Sequence, residues 1–102
     1  MIKKIIKRIV SSIDPTWILD EQKMYEAILA QYPNIEKKIE RVTIKKNSFE
    51  IIVFLKLKNK KTIKIIIELK APEIFLIVND KKILIGTDNG YHNGCPITMR
   101  WG

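Results

Sequence analysis

At 102 residues, with 46% apolar and 29% charged side chains, the chain has enough material for one globular domain spanning 1–102 and too little for two, and its composition excludes intrinsic disorder. No apolar run reaches the ~20 residues of a membrane-spanning helix; Lys7 and Arg8 interrupt what would be the apolar part of a secretory signal; and a single cysteine, Cys95, excludes an intrachain disulfide framework, so a cytoplasmic setting is expected. The net charge of +8 and pI near 9.7 are uneven along the sequence, being +4 over residues 1–13, −3 over 14–33, +7 over 34–70 and zero over 71–102, which is the footprint of a polyanion partner.

The charge has a second explanation, because 16 of the 19 basic residues are lysine and 21 residues are isoleucine, a bias that an AT-rich genome or a heat-adapted proteome produces without any ligand. Arginine, the better residue for bidentate phosphate contacts, occurs only three times.

Residues 2–13 place Ile2, Ile5, Ile6, Ile9 and Ile13 on one stripe of an α-helix, with Lys3, Lys4, Lys7 and Arg8 off it. Such a basic amphipathic helix suits a membrane surface or a partner's groove. Packing on a sheet is the competing use, and helix-on-sheet layering favours it here. Asp14-Pro15 ends the helix, since proline cannot continue the hydrogen-bond ladder. Asp20 is the expected N-cap of a second helix, with Glu21 in its first turn and Pro33 beyond its end near Tyr32. Its stripe carries Met24 and Ile28. Between Ile35 and Lys45 the signals conflict, Ile35 and Ile39 being spaced as on a helix while Val42 and Ile44 alternate; the expected strand runs over about 38–45.

From Phe49 to Leu57 and again from Ile63 to Leu69 every odd position is apolar, the period of two expected of strands with one buried face. The polar patch Lys58-Asn59-Lys60-Lys61 is the turn of a β-hairpin. Parity requires odd residues to face odd ones, and a three-residue loop at Asn59–Lys61 satisfies it by pairing Leu57 with Ile63, Val53 with Ile67 and Glu50 with Lys70. The even face mixes Lys56, Lys64, Glu68 and Lys70 with Ile52, Phe54 and Ile66. After Ala71-Pro72, Ile74–Val78 and Ile83–Ile85 form a second hairpin about a two-residue turn at Asp80-Lys81. It is apolar on both faces and so is expected to be covered on both. Residues 86–96 form a glycine-rich loop, and Ile97, Met99 and Trp101 alternate as in a last short strand.

That loop holds His92 and Cys95, with Asp88 nearby, and a thiol beside an imidazole can become a nucleophile. The three lie close in sequence only, whereas catalytic dyads are assembled from separate elements, and one histidine with one cysteine falls short of a zinc ligand set. Glu68-Leu69-Lys70 resembles the end of the Glu-x-Lys signature of restriction-type nucleases, which implies a further acidic metal ligand on the preceding strand. No aspartate occurs between Asp20 and Asp80, and Glu50 is the one acid on strand 49–57. The order helix, antiparallel meander, His92-Asn93, Cys95 and Trp101 is similar in outline to a trimmed ubiquitin-conjugating domain, although the cysteine stands too close to the His-Asn pair.

The fold expected from these residues is α+β: two N-terminal helices packed on one face of an antiparallel meander sheet of about five strands, with Ile5, Ile9, Ile28, Val53, Leu55, Ile65 and Ile67 in the core. The expected function is that of a small non-enzymatic basic binding protein, with no cofactor, metal or catalytic residue, contacting DNA or RNA through Lys3, Lys4, Lys7, Arg8, Lys56, Lys58, Lys60, Lys61 and Lys64. A protein-interaction module, such as a small inhibitor or accessory subunit binding an acidic protein through the apolar sheet patch and the 86–96 loop, is the alternative. A thiol enzyme using Cys95 and His92 is more remote. Apolar residues on both faces of the second hairpin also lead to the expectation of a homodimer.

Overall fold

A computed structural model describes residues 1–13, 17–70 and 72–88. The expectations for Asp14-Pro15, for His92 and Cys95, and for a strand at Ile97–Trp101 lie outside the described residues. Helix α1 spans Ile2–Ser11 and helix α2 spans Glu21–Gln31. Six strands follow the order of the chain: β1 Trp17–Leu19, β2 Ile39–Lys46, β3 Glu50–Leu57, β4 Thr62–Lys70, β5 Glu73–Val78 and β6 Lys81–Asp88. They form one antiparallel sheet in the spatial order β1-β6-β5-β4-β3-β2. The α+β class stands, with six strands where the sequence led to about five.

The additional strand is β1. Three residues are too few to display a period, and its place is fixed by a long-range partner: Trp17, Ile18 and Leu19 pair with Asp88, Thr87 and Gly86, and the Asp20 amide donates to the Ile85 carbonyl at 2.7 Å. Gly86 and Thr87 therefore belong to β6 and not to an irregular loop. A Cβ on Gly86 would collide with the Ile18 carbonyl oxygen and lie 2.9 Å from Leu19 Cδ2. Because the nearest obstacle is backbone, Gly86→Ala is expected to cost about 1–3 kcal/mol of stability in urea unfolding, as overpacking does. A cost below about 0.5 kcal/mol, the range of ordinary surface changes, would mean that β1 moves aside freely.

The parity of the central hairpin holds, and its register differs from the expected one by two residues. The turn is Lys58-Asn59-Lys60, one position earlier. Lys60 takes φ 73°, its amide donates to the Leu57 carbonyl at 3.0 Å, and the Leu57 amide donates to the Lys61 carbonyl at 2.8 Å. The Asn59 side chain accepts from the Lys61 amide at 3.1 Å, which holds the turn where the local hydrogen bonds are best satisfied. Leu55 then faces Ile63, Val53 faces Ile65 and Ile51 faces Ile67. Glu50 meets Glu68 rather than Lys70. The second hairpin shifts likewise: Asn79 and Asp80, both at positive φ (50° and 63°), form the two-residue turn, so that Val78 pairs with Lys81 and Leu76 with Ile83. Phe49, expected on the buried face, is 76% exposed. It lies in the turn before β3, where Asn47 Oδ1 accepts from the amides of Phe49 and Glu50 at 2.8 and 2.9 Å.

Asp20 caps α2, its carboxylate accepting from the Lys23 amide at 3.0 Å. Ile2, Ile5, Ile6 and Ile9 of α1 and Met24 and Ile28 of α2 are buried in one cluster with Ile51, Val53, Leu55, Ile65, Ile67, Ile74, Leu76 and Val78 of the strands. Val42 and Ile44 of β2 are partly buried against the same cluster. No helix among the described residues is long and apolar enough to cross a membrane.

Candidate functional site

With odd positions of β3 and β4 committed to the core, their even positions and the matching residues of the neighbouring strands form a second, outer face. Register arranges this face in rows that run across the strands. The first row is Arg41, Lys56 and Thr62, and the second is Thr43, Phe54 and Lys64. A third row sets Lys45, Ile52, Ile66, Ile77 and Lys82 side by side, with three isoleucines on adjacent central strands between two lysines. A fourth holds Glu50, Glu68, Phe75 and Leu84. The last holds Lys70, Glu73, Thr87 and Ile18.

The face thus has a basic corner, an apolar centre and an acidic side. The one carboxylate in the first two rows is that of exposed Glu40, which shares the bulge opposite Lys56 with Arg41, and the turn at their end adds Lys58, Lys60 and Lys61, all exposed. The Lys58 amide donates to the Lys38 carbonyl at 2.8 Å, which brings the segment before β2 to the same end. Among the described residues, Arg41, Lys56, Lys58, Lys60, Lys61 and Lys64 form no salt bridge; the two that occur join Lys7 to Glu21 at 3.8 Å and Lys82 to Glu68 at 3.1 Å. Two aromatic rings of the outer face carry an ammonium above them. Lys45 Nζ stands 5.7 Å from the centre of the Phe54 ring, and Lys82 Nζ stands 4.6 Å from that of Phe75.

The nine residues singled out in the sequence fall into two groups. Lys56, Lys58, Lys60, Lys61 and Lys64 come together at the corner. Lys3, Lys4, Lys7 and Arg8 lie exposed on α1, where two of them are engaged with α2: Lys3 over the Tyr25 ring at 5.2 Å and Lys7 with Glu21. The Tyr25 hydroxyl is held above the ordinary phenol range, by desolvation first and then by the Glu36 carboxylate, and so stays neutral. Sequence reasoning missed Arg41 and Lys45. The signal was present, since the alternation of Val42 and Ile44 sends Arg41, Thr43 and Lys45 to the opposite face once 39–46 is a strand.

No family model, curated protein or solved structure matches this chain. Its own geometry must therefore carry the chemistry. Glu50 and Glu68 are cross-strand partners, and Lys70 shares their face, so two carboxylates of the Glu-x-Lys pattern do adjoin. Lys82 holds one of them, Glu68, through its solvent-shielded Oε1 at 3.1 Å. No group of three His, Cys, Asp or Glu residues comes together among the described residues. A hollow of ≈ 210 Å³ near the basic corner, lined in part by Tyr32, Pro33, Lys38, Leu57 and Ile63, contains no carboxylate, cysteine or histidine. What the corner offers is a set of mobile point charges about a flat strand surface, suited to phosphate or sulfate oxygens.

Proposed function

We propose that the protein is a small non-enzymatic binding module for a polyanion, DNA or RNA, which it contacts through the basic corner of its outer sheet face. The two helices, in this reading, cover the opposite face and serve as its scaffold. The observation that supports it is the gathering of Arg41, Lys56, Lys58, Lys60, Lys61 and Lys64 at one end of the sheet, where Glu40 is the one carboxylate in the two nearest rows and where, among the described residues, none of the six forms a salt bridge. Six cations left without partners in a corner give a local potential that a chain of phosphates neutralises by releasing its counterions.

The test is a salt titration of binding to generic duplex DNA. Engagement of three to six of these cations predicts that log affinity falls linearly with log salt, with a slope between about −3 and −5. No binding at about 50 mM salt, where the electrostatic contribution is strong, would remove this reading.

A second reading is favoured by the row of Ile52, Ile66 and Ile77, from which an apolar band steps through Phe75 and Leu84 (40% exposed) of the next row to Ile18 (56% exposed) of the last. An apolar band of this kind on an otherwise charged face suits a protein partner, and a second copy of the chain is the simplest one. On this second reading, light scattering on the concentrated protein would give twice the monomer mass of 11.9 kDa. A monomer mass throughout would exclude self-association through the band.

A further inference from the structure

The basic corner contains one aromatic ring, and its placement carries a finer statement about the ligand. Phe54 lies in the middle of the second row. Lys64 stands directly across from it on β4 and Thr43 on β2. Lys45 projects over the ring, and Arg41 and Lys56 occupy the next row. The ring is half-buried, so it is fixed by its neighbours while keeping a surface toward solvent. A nucleotide joins an anionic phosphate to a flat π-surface, and the corner presents the matching pair: a rigid ring with lysines or arginine on every adjoining strand.

We propose that the corner binds single-stranded nucleic acid, with a base stacked on Phe54 and the adjoining phosphates held by Arg41, Lys45, Lys56 and Lys64. This rests on the polyanion reading and narrows it. A duplex buries its π-surfaces within the helix and offers a flat sheet only its backbone, whereas an unpaired strand can lay a base on an aromatic side chain. Lys45, now over the ring, moves to a phosphate when a base takes its place. The opposite side of the same face supplies a natural contrast. Phe75 is also half-buried and also lies beneath a lysine, Lys82. Glu68 is directly across from it, with Glu50 in the same row and Glu73 in the next, against Lys82, which Glu68 takes up, and Lys70, so no unpaired cluster of cations awaits a phosphate there. On standard strand and residue spacings the two rings are about 16 Å apart, which makes Phe75 a separate position with the same ring and the opposite electrostatic setting.

The experiment compares the wild type with Phe54→Leu and Phe75→Leu, both of which keep an apolar side chain on a face where the wild-type ring is half-buried. The probes are a fluorescently labelled twelve-residue oligothymidylate, its ribo-counterpart, a duplex of equal length and heparin, all at one low salt concentration. The wild type is expected to bind both single strands more tightly than the duplex. Phe54→Leu is expected to weaken single-strand binding about tenfold, the loss typical of one stacked base, while leaving heparin binding unchanged. Phe75→Leu is expected to leave both unchanged. A duplex bound as tightly as the single strands, or equal losses in the two variants, or a parallel loss for heparin, would overturn stacking on Phe54 while leaving the polyanion reading in place. Failure of all four probes to bind would overturn both.

Discussion

Leu76→Ala is expected to remove about 2–5 kcal/mol of stability, against roughly half as much or less for Ile77→Ala one residue further on. Leu76 is fully buried at the centre of β5, with Ile67 and Ile83 directly across from it on either side. Truncation there loses the transfer free energy of the side chain and leaves a cavity that β4 and β6, each hydrogen-bonded in place, cannot close. Ile77 belongs to the outer row and is only half-buried, so its truncation opens the site to water instead of creating a void. For a domain of this size, with a total stability of about 5–15 kcal/mol, the first change removes a large share of the margin. Urea unfolding monitored by circular dichroism would give both values. Comparable losses at the two positions would mean that something covers the outer row in solution, which would favour the dimer over an open nucleic-acid surface.

The contrast between Leu76 and Ile77 also shows which parts of the fold the amino-acid sequence made legible. The odd positions of β3 and β4 could be assigned to the core because alternation is a local property with a period of two, and Val53, Leu55, Ile65 and Ile67 are buried as expected from it, whereas Phe49, at the start of the same alternation, is exposed in the turn before β3. Turn length was legible for the same reason, since parity limits it. Turn position was not, because it depends on which of several polar residues takes the left-handed conformation: Lys60 did so in one hairpin and Asn79 with Asp80 in the other. A slip by two residues leaves every side chain on its face and changes every cross-strand partner. It is how the expected Glu50–Lys70 pair became Glu50 facing Glu68, and how Lys64 came to stand across from Phe54.

The candidate site was legible in part. Lysines 56 to 64 are adjacent in one hairpin, so their meeting at one corner follows from the turn alone. The residues of β2 that complete the corner could be placed only once the strand and its bulge near Arg41 were known, since the register changes between Ile39 and Arg41. The grouping of Lys3, Lys4, Lys7 and Arg8 with that corner rested on charge and not on place. The helix stripe that makes α1 amphipathic also joins it to the core cluster, and Lys3 and Lys7 are engaged with Tyr25 and Glu21 of α2.

Reversing Lys56, Lys58 and Lys64 to glutamate is expected to weaken binding to duplex DNA most strongly at low salt and to flatten the salt slope by about 2.7, which is 0.9 for each of three phosphates no longer neutralised. Because salt affects the wild type more steeply, the gap between the two proteins should shrink by about 40-fold between 50 and 200 mM. The fold should survive, since Lys58 and Lys64 are exposed, Lys56 is only partly covered, and among the described residues none of the three is in a salt bridge; surface changes of this kind usually shift stability by less than about 0.5 kcal/mol. The control is the pair Lys4→Glu and Arg8→Glu on α1, whose side chains are equally exposed and do not take part in the contacts with Tyr25 or Glu21. At two units per reversal that variant loses four units of charge against six, and it should keep a slope close to that of the wild type. Long-range attraction alone cannot produce such a difference, because it responds to net charge and is screened beyond about 10 Å at 0.1 M salt. Equal flattening in the two variants would therefore show that DNA responds to the overall +8 charge of the chain and not to the corner, and would return the outer face to the protein-partner reading.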